Sequence, residues 1–197
     1  MDVIIINGAR NRTGRTAQAA AALAAGLAAE GASCEAVFLP ELNLERCRQC
    51  DEDGWGQCRS EGSCIIEDDF AKLVGQIRNA AAVVLATPVY YSDLSESMRA
   101  FTDRLRRICT FSEESRRQIE GKPVVCIGMA GGGGGGSAAC LGTFERLAGN
   151  CRFELLDLIS VRRQNLDLKL EVLEATGRWL ARQIPHEARL APPPSEV

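Results

Sequence analysis

Histidine is almost absent from this sequence, with His186 the only one in 197 residues. Hydrolytic triads and histidine-based metal sites need histidine at the reacting centre, so a single one near the chain end argues against both. Long hydrophobic runs are also lacking, which argues against a membrane span or a signal peptide. The net charge of -3 is small, which argues against nucleic acid or an anionic membrane as a partner. We therefore expect a cytoplasmic protein.

Two common glycine-loop motifs are missing from the first strand–helix junction. Neither Gly-x-Gly-x-x-Gly nor Gly-Lys-Ser/Thr follows the apolar run at residues 3–6, so dinucleotide and nucleoside triphosphate loops are not supported. A polar turn with two glycines, two threonines and three arginines is there instead. It is typical of a loop that binds a phosphate monoester at a helix N-terminus, although a plain polar turn capped by Thr13 explains it equally. The predicted phosphate contacts are Ala9, Arg10, Arg12, Thr13, Gly14, Arg15 and Thr16.

Apolar strand patterns alternate with helical patterns along the chain. Strands are predicted at residues 3–7, 34–39, 82–87, 123–129 and 154–160, and helices at 13–30, 68–79, 94–109, 137–149 and 167–183. Five βα units indicate an α/β three-layer sandwich with a parallel sheet in the order 2-1-3-4-5. We expect one domain over residues 1–187 and a flexible proline-rich tail at 188–197.

A flat ligand is predicted at the end of the third strand. Backbone groups of Val89 and Tyr90 would bind its polar rim, and a tyrosine would pack on its face. A run of six glycines after the fourth strand can approach such a ring closely. A strand exit with two partly buried tyrosines and a flexible low-complexity loop are the alternatives. The predicted ring contacts are Pro88, Val89, Tyr90, Tyr91, Ser92, Ala130, Gly131 and Gly132.

Four of the nine cysteines lie within 18 residues, in a long connection at residues 40–67. Their pattern is Cys47-x2-Cys50-x7-Cys58-x5-Cys64. In a cytoplasmic protein they are candidate metal or cluster ligands, and zinc or free thiols are the alternatives. Trp55, in the same connection, would pack within the loop or cover a flat ligand or a partner subunit.

The sequence resembles the NADPH-dependent FMN reductase family, and within it the iron–sulfur flavoprotein branch. The resemblance covers residues 1–160 and rests on Asn-Gly-x5-Gly-x-Thr, the cysteine loop, Thr-Pro-Val-Tyr and the Asp103-Arg104 pair. It implies a flavodoxin-like fold that binds FMN through the residues named above. Where the family often has Ser-Pro-Arg, this chain has Ala9-Arg10-Asn11.

The resemblance also implies a function. FMN would be reduced by NAD(P)H through hydride transfer, with no catalytic side chain, and would pass electrons to a quinone, free flavin or a redox protein. It implies a [4Fe–4S] cluster on Cys47, Cys50, Cys58 and Cys64, although the family places its second and third cysteines closer together. A homodimer or homotetramer is expected. An FMN-binding electron carrier that does not oxidise NAD(P)H and a flavin-free binding module are the alternatives.

Overall fold

Apolar, β-branched segments form the sheet at the centre of residues 2–184, which are the residues that the computed structural model describes. All neighbouring strands pair in parallel, in the order 2-1-3-4-5, which confirms the predicted topology. The inner strands are buried on both faces, whereas edge strands two and five are partly exposed. The strands are β1 (Val3–Asn7), β2 (Cys34–Phe38), β3 (Ala82–Pro88), β4 (Pro123–Ala130) and β5 (Glu154–Arg162).

Seven helices are formed by the described residues. They are α1 (Arg15–Ala29), α2 (Gln57–Ser60), α3 (Phe70–Asn79), α4 (Glu96–Phe111), α5 (Glu113–Arg117), α6 (Ser137–Cys151) and α7 (Leu166–Gln183). The five long helices follow the five strands, as the alternation predicted. The short helices α2 and α5 were not expected, because four or five residues are too few to show a helical period.

The core is split into two layers by the sheet. Val3 and Ile5 of β1 face α1 and α7, while Ile4 and Ile6 face α3, α4 and α6. This alternation follows from the two-residue period of a strand, and it explains why β1 shows no polar position. Helices α1 and α7 touch through Gly26 and Gly177, where a Cβ atom would lie 2.0 Å from a carbonyl oxygen of the other helix.

Three helices begin later than the sequence predicted, because the polar side chains at their predicted starts either bind other residues or cap the helix from the position before it. The Thr13 hydroxyl donates to the Asn11 side chain, and α1 begins after Gly14 instead. Asp68 forms a buried ion pair, and α3 begins two residues later. Ser95 caps α4, so that this helix starts two residues beyond the predicted position. Local charge and propensity were correct guides to the element but not to its first residue.

No helix in residues 2–184 has both the length and the apolar character needed to cross a bilayer. The predicted tail at 188–197 and His186 lie outside the described residues.

Candidate functional site

A cleft of about 480 Å³ opens at the carboxyl edge of the sheet, between the loops that follow β1, β3 and β4. This volume falls within the range of about 300–1,000 Å³ that is usual for small-molecule sites. We call it the edge cleft. Of the predicted contacts, Ala9, Arg10, Gly14, Arg15, Thr16, Pro88, Val89, Tyr90, Gly131 and Gly132 line it, together with Asn11, Met129 and Gly135.

The loop after β1 is shaped by two asparagine side chains. The Asn7 carboxamide oxygen accepts from the Ala9 N–H at 2.9 Å, and the Asn11 carboxamide oxygen accepts from the Thr13 N–H at 2.9 Å. These bonds use the asparagines to turn the chain, so that α1 begins at the cleft. No side chain caps α1, and its first turn contains no acid. The free N–H groups and the positive dipole of α1 therefore face the cleft beside Arg10 and Arg15, which suits an anion.

Arg12 does not line the edge cleft. Its guanidinium donates to both carboxylate oxygens of Glu41, with Nε–Oε1 at 2.6 Å, and lies 4.6 Å from the Phe38 ring centre. The hydrogen bonds from Arg12 lower the pKa of Glu41. Arg12 therefore fastens the loop to the end of β2. Thr13 also lies outside the cleft lining, since its hydroxyl is turned towards Asn11.

The segment after β3 forms a tight hairpin turn. The Val89 N–H donates to the Met129 carbonyl at 2.9 Å, and the Tyr90 N–H donates to the Asp93 carbonyl at 3.0 Å. Neither N–H is free to donate to the rim of a ligand, so of the backbone groups predicted to bind the rim these two donors are already occupied. Tyr91 and Ser92 have φ values of 49° and 64° and stand outside the cleft lining, with Tyr91 fully exposed. Both residues adopt the left-handed region that favours glycine.

The glycine loop after β4 lies beside this turn. Gly132, Gly134 and Gly136 have positive φ values, and a Cβ at Gly136 would lie 2.7 Å from the Ser92 Cα. Glycine is therefore needed both for the backbone angles and for the close approach to the turn. Ala130 is buried and does not line the cleft.

Buried hydroxyl groups connect the first loop to the hairpin segment. The Gly8 carbonyl accepts from the Ser95 and Ser97 hydroxyls at 3.0 and 3.2 Å, and the Thr87 hydroxyl donates to Ser95 at 3.1 Å. These bonds hold the ends of β1 and β3 at a fixed distance from each other. The sequence showed these residues only as one more polar stretch after a strand.

Residues 1–164 match the NADPH-dependent FMN reductase family. The chain belongs to this family. An iron-sulfur flavoprotein of Methanocaldococcus jannaschii is 28% identical over 132 residues, which cover 67% of this chain and 65% of that protein. An iron-sulfur flavoprotein of Archaeoglobus fulgidus is 26% identical over 141 residues, which cover 72% of this chain and 66% of that protein. The chain thus spans just under two thirds of these relatives' length.

Solved structures agree on the fold. An NAD(P)H:quinone oxidoreductase from Methanothermobacter marburgensis superposes with a TM-score of 0.68 at 21% identity, covering 91% of this chain and 96% of that one. At this identity the likeness shows a flavodoxin-like fold and nothing finer. The edge cleft fits the FMN of the family in its chemistry. It combines a helix N-terminus, two arginines and no acidic lining residue, as a phosphate group requires.

A second, smaller cavity of about 20 Å³ lies where the cysteine loop packs on α4. We call it the cysteine cavity. All four predicted metal ligands line it, with walls of isoleucine and arginine and no carboxylate: Cys47, Cys50, Cys58, Cys64, Ile65, Ile66, Ile108, Arg48, Arg104 and Arg107. The seven residues between Cys50 and Cys58 thus do not prevent the four thiols from sharing one cavity.

A buried ion pair lies directly beside the cysteine cavity. Arg104 donates to both carboxylate oxygens of Asp68, at 2.6 and 2.9 Å, and the two side chains are 1% and 0% exposed. Arg104 also donates to the Glu45 carbonyl at 3.1 Å and to the Cys64 sulfur at 3.3 Å. Burial opposes both charges, but their hydrogen bonds outweigh it, so the pKa of Asp68 is lowered and that of Arg104 is raised.

Asp103 and Arg104, the adjacent pair in the family motif, bind different partners. Asp103 pairs with Arg106 at 3.3 Å on the outer face of α4, while Arg104 points inward to Asp68. Adjacent residues on a helix point about 100° apart, which places these two side chains on different faces of α4.

The cysteine cavity fits a thiolate-bound metal centre in donor number and chemistry. Four thiols, apolar walls and neighbouring guanidinium groups are suited to soft metals and to an anionic cluster. Within the described residues, no three histidine, cysteine or acidic side chains stand close enough to share one metal ion. A single metal ion would therefore require the thiols to move closer together, whereas a cluster would bind each thiol at a different iron atom.

Proposed function

We propose that this protein is an FMN-dependent oxidoreductase that takes electrons from NAD(P)H and passes them to a quinone, free flavin or another small acceptor. The edge cleft carries this proposal, since it joins an anion-binding helix N-terminus to a strand end and a glycine loop. FMN, when bound, supplies the hydride and electron transfer chemistry. The side chains of the chain bind and orient it, and none is needed as an acid or base.

Arg10 and Arg15 are the phosphate-binding cations in this proposal. Both line the edge cleft, and Arg15 is the first residue of α1, where the dipole is most positive. Arg12 is already used by Glu41, so it acts on the loop and not on the ligand. Backbone N–H groups at the start of α1 complete the binding of the phosphate.

The ring would lie against Pro88, Val89 and Tyr90, under the first glycines of the loop. Tyr90 is 48% exposed and lines the cleft, so its ring is accessible to a flat ligand. Because the N–H groups of Val89 and Tyr90 are occupied, the donors to the rim would come from the glycine loop, where Gly131 and Gly132 line the cleft.

Paired variants test the assignment of the phosphate site. Arg15→Gln should weaken FMN binding by about 10-fold to 100-fold, because a hydrogen bond to a charged group contributes about 1.5–3 kcal/mol. Riboflavin, which lacks the phosphate, should bind the variant and the parent equally. Arg12→Gln removes the same charge from the same loop and should change FMN affinity less than threefold. Equal losses in both variants would refute the assignment.

Anaerobic mixing with NADPH and with NADH tests the reaction. The flavin absorbance near 450 nm should bleach within the turnover time and return on addition of a quinone. A flavin that stays yellow with both nicotinamides makes the protein an electron carrier. Purified protein that binds no FMN contradicts the whole proposal.

We further propose that Cys47, Cys50, Cys58 and Cys64 hold a [4Fe–4S] cluster. The shared cavity and the relatives named iron-sulfur flavoproteins support this. Iron, sulfide and zinc analysis after anaerobic purification tests it, with Cys58→Ser as the ligand variant and Cys34→Ser as the matched control. Zinc in place of iron, or no metal, contradicts the cluster. The homodimer or homotetramer and the cytoplasmic location stay predictions.

A further inference from the structure

The segment between Cys50 and Cys58 is folded back onto α4. A turn closes it, with the Gly54 N–H donating to the Asp51 carbonyl at 2.8 Å and the Asp51 N–H donating to the Trp55 carbonyl at 3.0 Å. Trp55 then packs edge-on against Phe111 of α4, with ring centres 4.8 Å apart. The seven residues between Cys50 and Cys58 therefore form a turn that packs against α4.

Arg107 of α4 is the residue that holds this segment. Its Nη1 donates to the Gly54 carbonyl at 2.6 Å, and its guanidinium carbon lies 4.4 Å from the Trp55 ring centre. The same side chain lines the cysteine cavity, and its Nε atom is buried without a hydrogen-bond partner among the described residues. One arginine thus contacts the insertion and borders the thiols.

Arg107 also differs in charge balance from its neighbours. Arg104 is paired with Asp68 and Arg48 with Glu45, but Arg107 has no ion pair within residues 2–184. No acidic residue lines the cavity. The Gly54 carbonyl and the Trp55 ring satisfy part of this guanidinium, but no acidic side chain offsets its charge, so a negative group in the cavity would be stabilised by it.

The acids of the insertion do not provide that anion. Asp51, Glu52 and Asp53 are exposed and absent from the cavity lining, and Asp53 is paired with Arg59 at 2.9 Å. Asp103, one turn before Arg107 on α4, lines an outer groove with it but pairs with Arg106. On the cavity side the source of negative charge is the thiols themselves, which bind metals as thiolates. Four thiolates on a zinc ion or on an iron–sulfur cluster leave the centre with a net negative charge.

We propose that Arg107 is a positioning residue for a thiolate-ligated metal centre, since it offsets the negative charge of the centre and holds Cys50 and Cys58 on one cavity. This inference rests on the metal part of the proposed function and is independent of FMN. The inference also explains the segment between Cys50 and Cys58, because this segment brings the Gly54 carbonyl and the Trp55 ring into contact with Arg107. The three acids at its tip remain in solvent.

A redox-active centre makes the charge effect measurable. Reduction adds one electron from the external reductant and makes the centre more negative, so a nearby buried cation favours the reduced form. Removing that cation should therefore lower the reduction potential. We expect Arg107→Gln to shift the redox equilibrium about tenfold towards the oxidised form, which is about 59 mV for one electron.

The experiment compares four full-length proteins, reconstituted anaerobically with iron and sulfide: the parent, Arg107→Gln, Arg107→Lys and Arg106→Gln. Potentials are measured by dithionite titration followed in the visible spectrum and by electron paramagnetic resonance, and iron and FMN are counted in each sample. Arg107→Lys keeps the charge and should restore most of the potential. Arg106 directly precedes Arg107 on α4 but pairs with Asp103 outside the cavity. Its variant is therefore the matched control.

Equal potentials in the parent and Arg107→Gln would overturn the inference, as would an equal shift in Arg106→Gln or a parent protein that takes up no metal. If Arg107→Gln fails to fold, Arg107→Met takes its place, because it also removes the charge but keeps an unbranched side chain that can pack on Trp55. In that case a potential about 59 mV below that of the parent supports the inference, and a parent-like potential refutes it. A missing FMN with an intact metal centre refutes the flavin proposal alone.

Discussion

The buried pair of Arg104 and Asp68 allows a stability prediction to be worked from the structure. Arg104→Met keeps the size of the side chain but leaves the Asp68 carboxylate without its cation. Breaking a buried ion pair by removing one partner costs about 3–5 kcal/mol. Asp68 keeps two backbone donors, the N–H groups of Glu45 and Phe70, each at 2.8–3.1 Å, so the lower end of that range applies.

We therefore expect Arg104→Met to lower the free energy of unfolding by about 3 kcal/mol at pH 7. For a chain of this size, that corresponds to a fall in melting temperature of about 6–12 °C. The double variant Arg104→Met with Asp68→Asn removes both charges, and it should regain part of the loss. Urea unfolding, monitored by circular dichroism, measures the parent, the two single variants and the double variant of this double-mutant cycle.

The stability difference between the parent and Arg104→Met should also depend on pH. The pKa of Asp68 is lowered in the folded protein, so its contribution to stability is complete above its unfolded value of about 3.9 and is lost as the pH falls through the lowered folded value. Without Arg104, burial raises that pKa, and the carboxyl takes up a proton earlier. The gap between parent and variant should therefore shrink in acid. A loss below 1 kcal/mol, or a gap that is constant with pH, would refute the reasoning.

Three further outcomes are expected. Gly177→Ala places a Cβ 2.0 Å from the Leu23 carbonyl oxygen and should cost about 3 kcal/mol in urea unfolding, whereas Gly149→Ala, with open space around it, should not destabilise. Tyr91→Gly relieves a left-handed backbone and should raise the unfolding free energy by about 0.5–1 kcal/mol; a decrease would contradict this. Burial raises the pKa of Cys140 to about 11, so mass spectrometry should find it unmodified by iodoacetamide at pH 8 until the protein unfolds.

The sheet order and the position of the edge cleft were predictable because they depend on local patterns. Runs such as residues 3–6 are apolar and β-branched without alternation, which is sufficient for a buried parallel strand. Once the order 2-1-3-4-5 is accepted, the ends of the first and third strands must meet, and so must the loops that carry Arg15 and Tyr90.

The directions of individual side chains were not predictable, because their partners lie far away in sequence. Arg12 turns to Glu41, 29 residues ahead, and Arg104 turns to Asp68, 36 residues behind. The backbone angles of Tyr91 were equally hidden, since a tyrosine carries no signal for the left-handed region. Charge at a motif therefore indicated the chemistry of the edge cleft without showing which arginine faces it.

Helix α4 contacts both the edge cleft and the cysteine cavity. Ser95 at its cap fastens the first loop of the edge cleft, and Arg104, nine residues later, reaches the sulfur of Cys64. With a rise of about 1.5 Å per residue, only about 14 Å of helix axis separates these two attachment points. A single helix thus fixes the distance between the first loop of the edge cleft and the thiols of the cysteine cavity.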